Sequence, residues 1–458
     1  MKTLNKILKL LLVCSIIVLY HHENSKAQNL LGYTSNYAGV VSNYLNPSSI
    51  SNSKLKLDVN IFTWGGHLQN NYYTIPRSAY NPLNPFKNGF VDFKAYRGST
   101  VNNQHNYLYT KEQLHLPSVM YSNGRRAFAL HANWRFEADV KNVPNDIVRC
   151  FYEGMIKGGS ITQNLNNVEH ADKFHFALAS WEELGGTYSQ TFISDQHQLL
   201  AAGITGKLLL GNAAYYYNNK DMDYYFSNAS SISFQNAHSD FGVVIPSGLI
   251  NGFGLGADLG VTYCIRDLAD INEYSEYFNY KFKVGAAILD LGGIRYGGGR
   301  TYSVNSYEKT ANATGNTVNG LQDIDSQVNG LIIKNNLNFY LPTALSLQAD
   351  YNVNNVVFVS ANFINNLRFT GCQVRRPTIV AVTPRLEKRW FEMSLPLSLY
   401  DWRLPRIGFQ MRIYNITFGA ERLGWLFKFQ DYTGVDGYIS LRFNIGKKIL
   451  TPPMYKRE

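Results

Sequence analysis

After its first 27 residues the chain has no uninterrupted apolar run of about 18 residues, the length that reads as a membrane-crossing helix, so a helical membrane protein is excluded. Charge is sparse: Asp, Glu, Lys and Arg make up 17% of the residues, and the basic ones behind the net +10 are scattered along the chain. Without a basic stripe or a recognisable module, no nucleic-acid partner is expected. Cysteine is limited to four residues with no CxxC spacing. Once a leader carrying Cys14 is removed, Cys150, Cys264 and Cys372 form an odd set that cannot all pair within the chain; one disulfide is allowed and nothing argues for it. Catalytic signatures are missing too: there is no Gly-x-Ser-x-Gly elbow and no His-Glu-x-x-His helix. Gly203 to Lys207 is too tightly spaced for a P-loop, and no Ser or Thr follows Lys207. The glycines at 252, 254, 256 and 260 lie within an alternating run, not at a strand-to-helix turn, so they are no dinucleotide fingerprint. His170 and His175, with Glu169 and Asp172 nearby, fit a solvated turn better than a metal site. No enzymatic role, cofactor or metal is expected.

What the chain does have is Tyr (32), Phe (26) and Gly (37), a composition that suits strands joined by hairpins. Its N-terminus reads as an export signal over residues 1–27. Lys2, Lys6 and Lys9 form a basic start, Leu10 to Tyr20 an apolar stretch, and Ser25-Lys26-Ala27 a cleavage site with small residues in the required places. Leu11-Leu12-Val13-Cys14 departs from a lipoprotein box because Val13 is too bulky. Cleavage after Ala27 removes four Lys and one Glu, which lowers the formal charge from +10 to +7.

The strongest signal is alternation with period two. Phe128, Leu130, Ala132, Trp134, Phe136, Ala138 and Val140 share one face of a strand, while Ala129, His131, Asn133, Arg135, Glu137 and Asp139 share the other. Similar runs cover 54–61, 254–263, 280–288, 345–351, 391–397, 407–413 and 439–445. In the third of these, Tyr280 is expected on the apolar face opposite Lys281 and Lys283. Weaker runs lie at 174–188, 197–210, 356–364, 378–388 and 416–428. These runs exceed the roughly 5–6 residues usual in a soluble sandwich. They match the roughly 9–11 residues with which a tilted strand crosses a bilayer. Trp64, Trp134, Trp390 and Trp402 stand near run ends, as interfacial girdles would. The expected fold is therefore all-β, a transmembrane antiparallel barrel over residues 53–446, apolar side out and polar side in. A closed barrel is the strand-based solution because every backbone N–H and C=O must find a partner within the protein.

Asn354-Asn355 reads as a tight turn, residues 69–125 and 302–336 as long outer loops, and Asn142 to Val148 as a short helix start with Pro144 just inside. Residues 28–52 precede the first strand, and 447–458 form a basic tail expected in the periplasm.

Several stretches carry a family resemblance: Tyr44-Leu45-Asn46-Pro47-Ser48, Leu116-Pro117-Ser118-Val119-Met120, Gly203 to Gly211, Gly254 to Val261, Leu289-Asp290-Leu291-Gly292 and Leu341-Pro342-Thr343-Ala344-Leu345. In this order they resemble a Bacteroidota outer-membrane family of unknown function, domain of unknown function 5723, which is distantly similar to long-chain fatty-acid transporter barrels. The likeness covers nearly all of the mature chain. It implies a cell outer-membrane location, a single barrel of about 14 strands, an even number as such barrels require, and an N-terminal periplasmic segment, 28–52, folding into the lumen as a hatch through Asn46, Pro47 and Ser48. It supplies no catalytic residues and no established substrate; its transporter relatives imply a hydrophobic ligand only by analogy between folds.

The charges on the polar faces are the candidates for function: Arg135, Glu137, Asp139, Asp258, Lys281, Lys283, Asp350, Glu392, Arg412 and Arg442. They either pair across the lumen and fill it or select what passes. Two functions remain open. One is passive transport of a small hydrophobic molecule through a lumen gated by 28–52, with ligand collected by loop aromatics such as Tyr72, Tyr73, Tyr80, Phe86, Phe90 and Tyr96. The other is a non-transporting barrel, embedded in outer-membrane lipid, that serves as anchor or shuttle for a secretion or surface-assembly partner.

Overall fold

The computed structural model describes residues 33–71, 73–74, 97–98, 106–150, 166–228, 231–244, 247–266, 279–312, 332–334, 336–402, 404–424 and 433–446. The leader, the basic tail and nearly all of the aromatic loop between 72 and 105 lie outside these residues.

Fourteen antiparallel strands close into one barrel. They are β1 Leu55–Asn70, β2 Asn106–His115 continued by Ser118–Ser122, β3 Arg126–Val143, β4 His175–Ser194, β5 Gln198–Asn228, β6 Gly252–Ile265 and β7 Phe282–Tyr296. There follow β8 Leu337–Tyr340 continued by Ala344–Asn352, β9 Val357–Asn366, β10 Ile379–Glu387 and β11 Phe391–Ser394 continued by Leu397–Tyr400. The circuit ends with β12 Leu404–Ile407 continued by Phe409–Ile413, β13 Ile416–Ala420 and β14 Gly434–Gly446. Each strand pairs with its sequence neighbour, and β1 closes the ring on β14 from Leu55↔Gly446 to Gln69↔Gly434. Pro117, Pro342 and Pro396 fall at three of the interruptions, where a missing N–H would leave a gap in the ladder.

The even count puts both chain ends of the barrel on one rim, beside the short turns. Those turns are built by side chains that accept backbone N–H groups. Asn123 accepts from Arg125 and Arg126, Asp195 from His197 and Gln198, and Asn354 from Val356 and Val357. The opposite rim carries the long connections, so it is the outer one. There β5 runs on for 31 residues in all, far past a single crossing; Ser231–Val244 pairs onto it and Gly299–Asn312 onto Ser231–Val244, as a sheet standing beyond the wall. The helix start near Pro144 becomes a six-residue helix, Asn145–Cys150.

Two of the expected loops are partly strand. Residues 106–122, read as part of a long loop, form β2, and 302–312 belong to the outer sheet. In β2 the outward side chains include Thr110 and Glu112, which sit toward the outer rim, so polarity there no longer alternates although the backbone does.

The outside of the wall is apolar. Phe128, Leu130, Leu184, Ile204, Leu208, Leu255 and Val261 are open to the surroundings, Leu255 to 73%. Their neighbours on the other face, Ala129, His131, Arg135, Glu137, Thr205, Lys207 and Asp258, are buried. Trp64 and Trp134 face Leu114 from either side in one row across β1, β2 and β3, Trp402 stands at the outer rim, and Trp390 lies tilted against Tyr414, ring centroids 5.4 Å apart, at the other. A continuous apolar belt with aromatic ends, on a sheet without edges, is the exterior of a transmembrane barrel. Among the described residues no helix is long and apolar enough to cross a membrane.

Candidate functional site

The interior is filled by three layers. Nearest the short-turn rim is the N-terminal segment. From Tyr33 it enters the barrel and turns through two 3-10 helices, Gly39–Tyr44 and Pro47–Ile50, before β1 begins. Asn46 starts the second by accepting the Ser48 N–H on its side chain (3.0 Å), and Pro47, which has no N–H to satisfy, follows it. The same Asn46 donates to the Val261 carbonyl at 2.9 Å and to the Gln348 side chain at 3.0 Å, tying β6 to β8. Ser48 meets Thr262 at 2.6 Å, Tyr44 donates to Asn133 at 2.7 Å, and Asn43 contacts His131 and Thr187 at 3.1 Å each. Asp58 accepts the Val40 N–H at 2.8 Å, and Ser35 donates to Glu392 at 2.5 Å. The segment is thus held by many neutral or singly charged hydrogen bonds to the walls, with an apolar centre of Ala38, Val40, Val41, Leu45 and Ile50. Between it and the wall is a cavity of about 50 Å³, bordered by Asn36, Lys283, Gln348, Asp350 and Asn362, enough for a few waters.

The second layer is charged. The Arg135 guanidinium reaches Glu137 and Glu183 at 2.7 Å each and Asp290 with two contacts of 3.0 and 3.1 Å. Lys207 bridges Asp258 at 2.8 Å and Asp290 at 2.6 Å, and Lys111 lies 3.7 Å from Glu137. Trp181 donates to Glu183 at 2.7 Å and lies 4.8 Å below the Arg135 guanidinium. Such groups stay ionised out of water only because each charge meets opposite charge and hydrogen bonds. Asp290 owes its place to a bulge. Leu289 and Asp290 together oppose Asp258 where the β6–β7 register shifts, and Asp290 (φ 55°) and Gly292 (φ 128°) take left-handed backbone. The extra residue turns Asp290 inward, and its N–H donates to Asp258 at 2.6 Å. A second, separate group surrounds Asp350: Arg385 binds it at 2.6 and 3.1 Å and Glu387 at 2.9 Å, and Lys283 stands 3.6 Å from Asp350.

The third layer comes from the outer rim. The connection 367–378 between β9 and β10 dips into the barrel. Gln373 donates to the Leu341 and Leu367 carbonyls at 2.6 and 3.2 Å, and the Arg375 N–H donates to Asp139 at 2.8 Å. Arg376 is buried and pairs with Asp290 and, at 3.7 Å, with Glu137. Beside it Val374 is wholly buried in an apolar cluster that includes Leu209, Ile294, Phe339 and Leu341.

Of the expected residues, Arg135, Glu137 and Asp258 come together in the central charge layer, and Asp139 lies one pleat repeat outward from Glu137. Lys283 and Asp350 meet in the second group. Glu392 pairs with Arg412 at 3.3 Å, and Arg442 lies 3.7 Å from Asp58 and donates to the Ala38 carbonyl of the N-terminal segment. Lys281 lies just before the start of β7, its ammonium 5.4 Å over the ring of outward-facing Tyr351 and 3.5 Å from the Val353 carbonyl. Tyr280, expected on the apolar face, is fully buried instead: it precedes β7, folds over the strand end, and its hydroxyl reaches Asp350 and Asn36. Sequence reasoning missed Lys111, Glu183, Lys207, Asp290 and Arg376. Lys207 and Glu183 are polar residues at inward positions of weaker runs and were within reach of the same alternation. Among the described residues no group of three or more His, Cys, Asp or Glu is placed to hold a metal ion.

A family model described as "Family of unknown function (DUF5723)" matches residues 47–420. No curated protein matches the chain. Among solved structures, the chain is similar to a Pseudomonas aeruginosa FadL homologue (TM-score 0.39, 12% identity, 92% of this chain and 99% of that one). It is also similar to the Pseudomonas putida toluene transporter TodX (0.31, 10%, 92% and 93%). A third likeness is to the translocator domain of the autotransporter NalP from Neisseria meningitidis (0.28, 8%, 85% and 88%).

Proposed function

We propose, for this chain, which belongs to the DUF5723 family of unknown function, a role as a gated outer-membrane channel that passes a small, largely apolar molecule down its gradient. The observation that carries this reading is the apolar patch inside the outer half of the barrel. Leu209, Ile294, Phe339 and Leu341 are buried there on the inward faces of β5, β7 and β8. Side chains lining a water-filled pore would be polar; an apolar inner wall suits an apolar solute. Residues 28–52 act as the hatch. Their described part is held by hydrogen bonds and packing and is joined covalently to the wall where the chain runs on into β1, so it can swing out without breaking the barrel.

A second reading has its own observation. The central charges pair across the lumen and, with the 367–378 connection, fill its mid-height, as befits a barrel that anchors or escorts a secretion or surface partner. Single-channel recording separates the two. The channel reading expects a closed full-length protein and an open variant that lacks residues 28–52 and carries a short turn in place of 367–378. Silence from both, together with no uptake of an apolar solute into vesicles, removes it.

A further inference from the structure

The outer connection 367–378 is built as a stopper, not as wall. One isolated bridge, Tyr340 to Gln373, is its sheet pairing among the described residues. Its polar holds run from Gln373 to Thr378: Gln373 on the Leu341 carbonyl, the Arg375 N–H on Asp139, the Arg375 guanidinium on Asp401 through two contacts of 3.0 and 3.1 Å, and the Thr378 N–H on Asp401 at 2.8 Å. Interleaved with these holds it presents two unlike side chains to the interior. Val374 enters the apolar patch, and Arg376 enters the acid side of the charge layer, where it meets Asp290 and Glu137.

Arg376 completes the charge balance of this layer. Lys111, Arg135, Lys207 and Arg376 balance Glu137, Glu183, Asp258 and Asp290 one for one. Without Arg376 the layer is one cation short. Asp139, buried one pleat repeat farther out, adds to the deficit while His175, 3.6 Å from its Oδ1, is neutral: its other carboxylate oxygen, Oδ2, has no hydrogen-bond partner among the described residues. A withdrawn loop therefore leaves an apolar wall beside a net negative, largely desolvated surface. A neutral molecule would leave those carboxylates uncompensated, and a carboxylate-bearing one would be repelled.

We infer that the space held by Val374 and Arg376 is a ligand site for an amphiphilic cation, an ammonium or guanidinium group on an apolar body. Val374 stands in for the body and Arg376 for the head. This rests on the channel reading, since it requires the connection to be displaced, and it names the substrate class for that channel.

The test uses mature full-length protein in phospholipid nanodiscs, with Cys150→Ala, and three probes of one chain length: octylammonium, octanol and octanoate. Cys372 lies within the connection, whereas Cys264 is fully buried, so maleimide modification of Cys372 reports displacement of the loop. Octylammonium is expected to raise that rate about tenfold over octanol at equal concentration, the minimum for a buried charge pair, and octanoate to have no effect. Asp290→Asn is expected to bring the octylammonium effect down to that of octanol; the comparison of the three probes stands without this variant. If octanol or octanoate acts as strongly as octylammonium, or if no probe changes the rate, the site assignment is overturned. Flux of neutral solutes without any preference for octylammonium would remove this site and leave the channel. Octylammonium engagement without flux of any solute would do the reverse.

Discussion

At Gly203 the wall lies directly against the backbone of the proposed hatch, and a single methyl group there should expel it. A Cβ at this position would stand 2.5 Å from the Pro47 carbonyl carbon and 2.6 Å from the Ser48 nitrogen, both backbone atoms that no rotamer change can move. Ordinary contact needs about 3.5 Å, so the segment must retreat by roughly 1 Å. That retreat stretches three bonds: Ser48 to Thr262, now 2.6 Å, Ser189 to the Ser48 carbonyl, 3.2 Å, and Asn46 to the Val261 carbonyl, 2.9 Å. Losing two of them at about 1 kcal/mol each, and adding about 1–3 kcal/mol of overpacking, weakens hatch docking by about 3–5 kcal/mol. The undocked population should then rise roughly 10²–10⁴-fold. The reporter is Ser42→Cys in a background without Cys150, Cys264 and Cys372. Ser42 is buried in the docked segment, so its maleimide rate follows undocking. Gly206→Ala is the control: it lies three residues along the same strand, faces outward, and nothing is within 4 Å of its added methyl. Equal labelling rates in the two alanine variants would refute the argument that this contact seats the hatch.

Arg135→Met leaves Glu183, Glu137 and Asp290 short of their shared cation and should cost about 3–5 kcal/mol, seen as a lower denaturant midpoint for the lipid-reconstituted barrel; an unchanged midpoint would mean the charge layer adds nothing to stability. Leu130→Arg puts a cation on a lipid-facing position exposed to 66%, and refolding into vesicles should weaken by about 2–4 kcal/mol, while folding as efficient as wild type would argue against the belt. In the outer sheet, the hydrogen bond that the His170 ring donates to Asp223 raises the His170 pKa above its ordinary value, with Asp221 and Asp172 adding to it, and the same contact holds Asp223 below the usual carboxylate range. The His170 contribution is therefore complete below the unfolded histidine value and is lost as pH rises through the raised one. That of Asp223 is present above the unfolded aspartate value and is lost as pH falls through the lowered one. Protease nicking of this sheet should thus be slowest between these limits, with the dependence at the alkaline side absent in His170→Gln, and an unaltered profile in that variant would remove His170 as its source.

How far the lumen could be read in advance depended on the strand. In β3 the backbone keeps strict alternation through the apolar belt, so Arg135, Glu137 and Asp139 were placed on one face from polarity alone. In β7 the same rule, carried on from Phe282 through Ile288, sends Asp290 to the lipid. The bulge reverses that parity, and nothing local in Leu289-Asp290-Leu291-Gly292 announces it beyond a glycine able to take φ 128°. Lys111 is hidden because this part of β2 lies toward the outer rim, where the outward Thr110 and Glu112 meet water, so both faces of the strand are polar. Arg376 belongs to no strand, and no periodicity could place it.

Alternating side chains and the demand that every backbone polar group be paired away from water were enough to specify a closed barrel, its lipid face and its short turns. These are local rules that repeat every two residues. Which charges meet was decided only by the folded chain: Arg135 and Asp290 are 155 residues apart, and the hatch and the 367–378 connection enter the lumen from opposite rims. Coulomb pairing depends on distance through space, and closure of the ring and one extra residue in β7 set those distances.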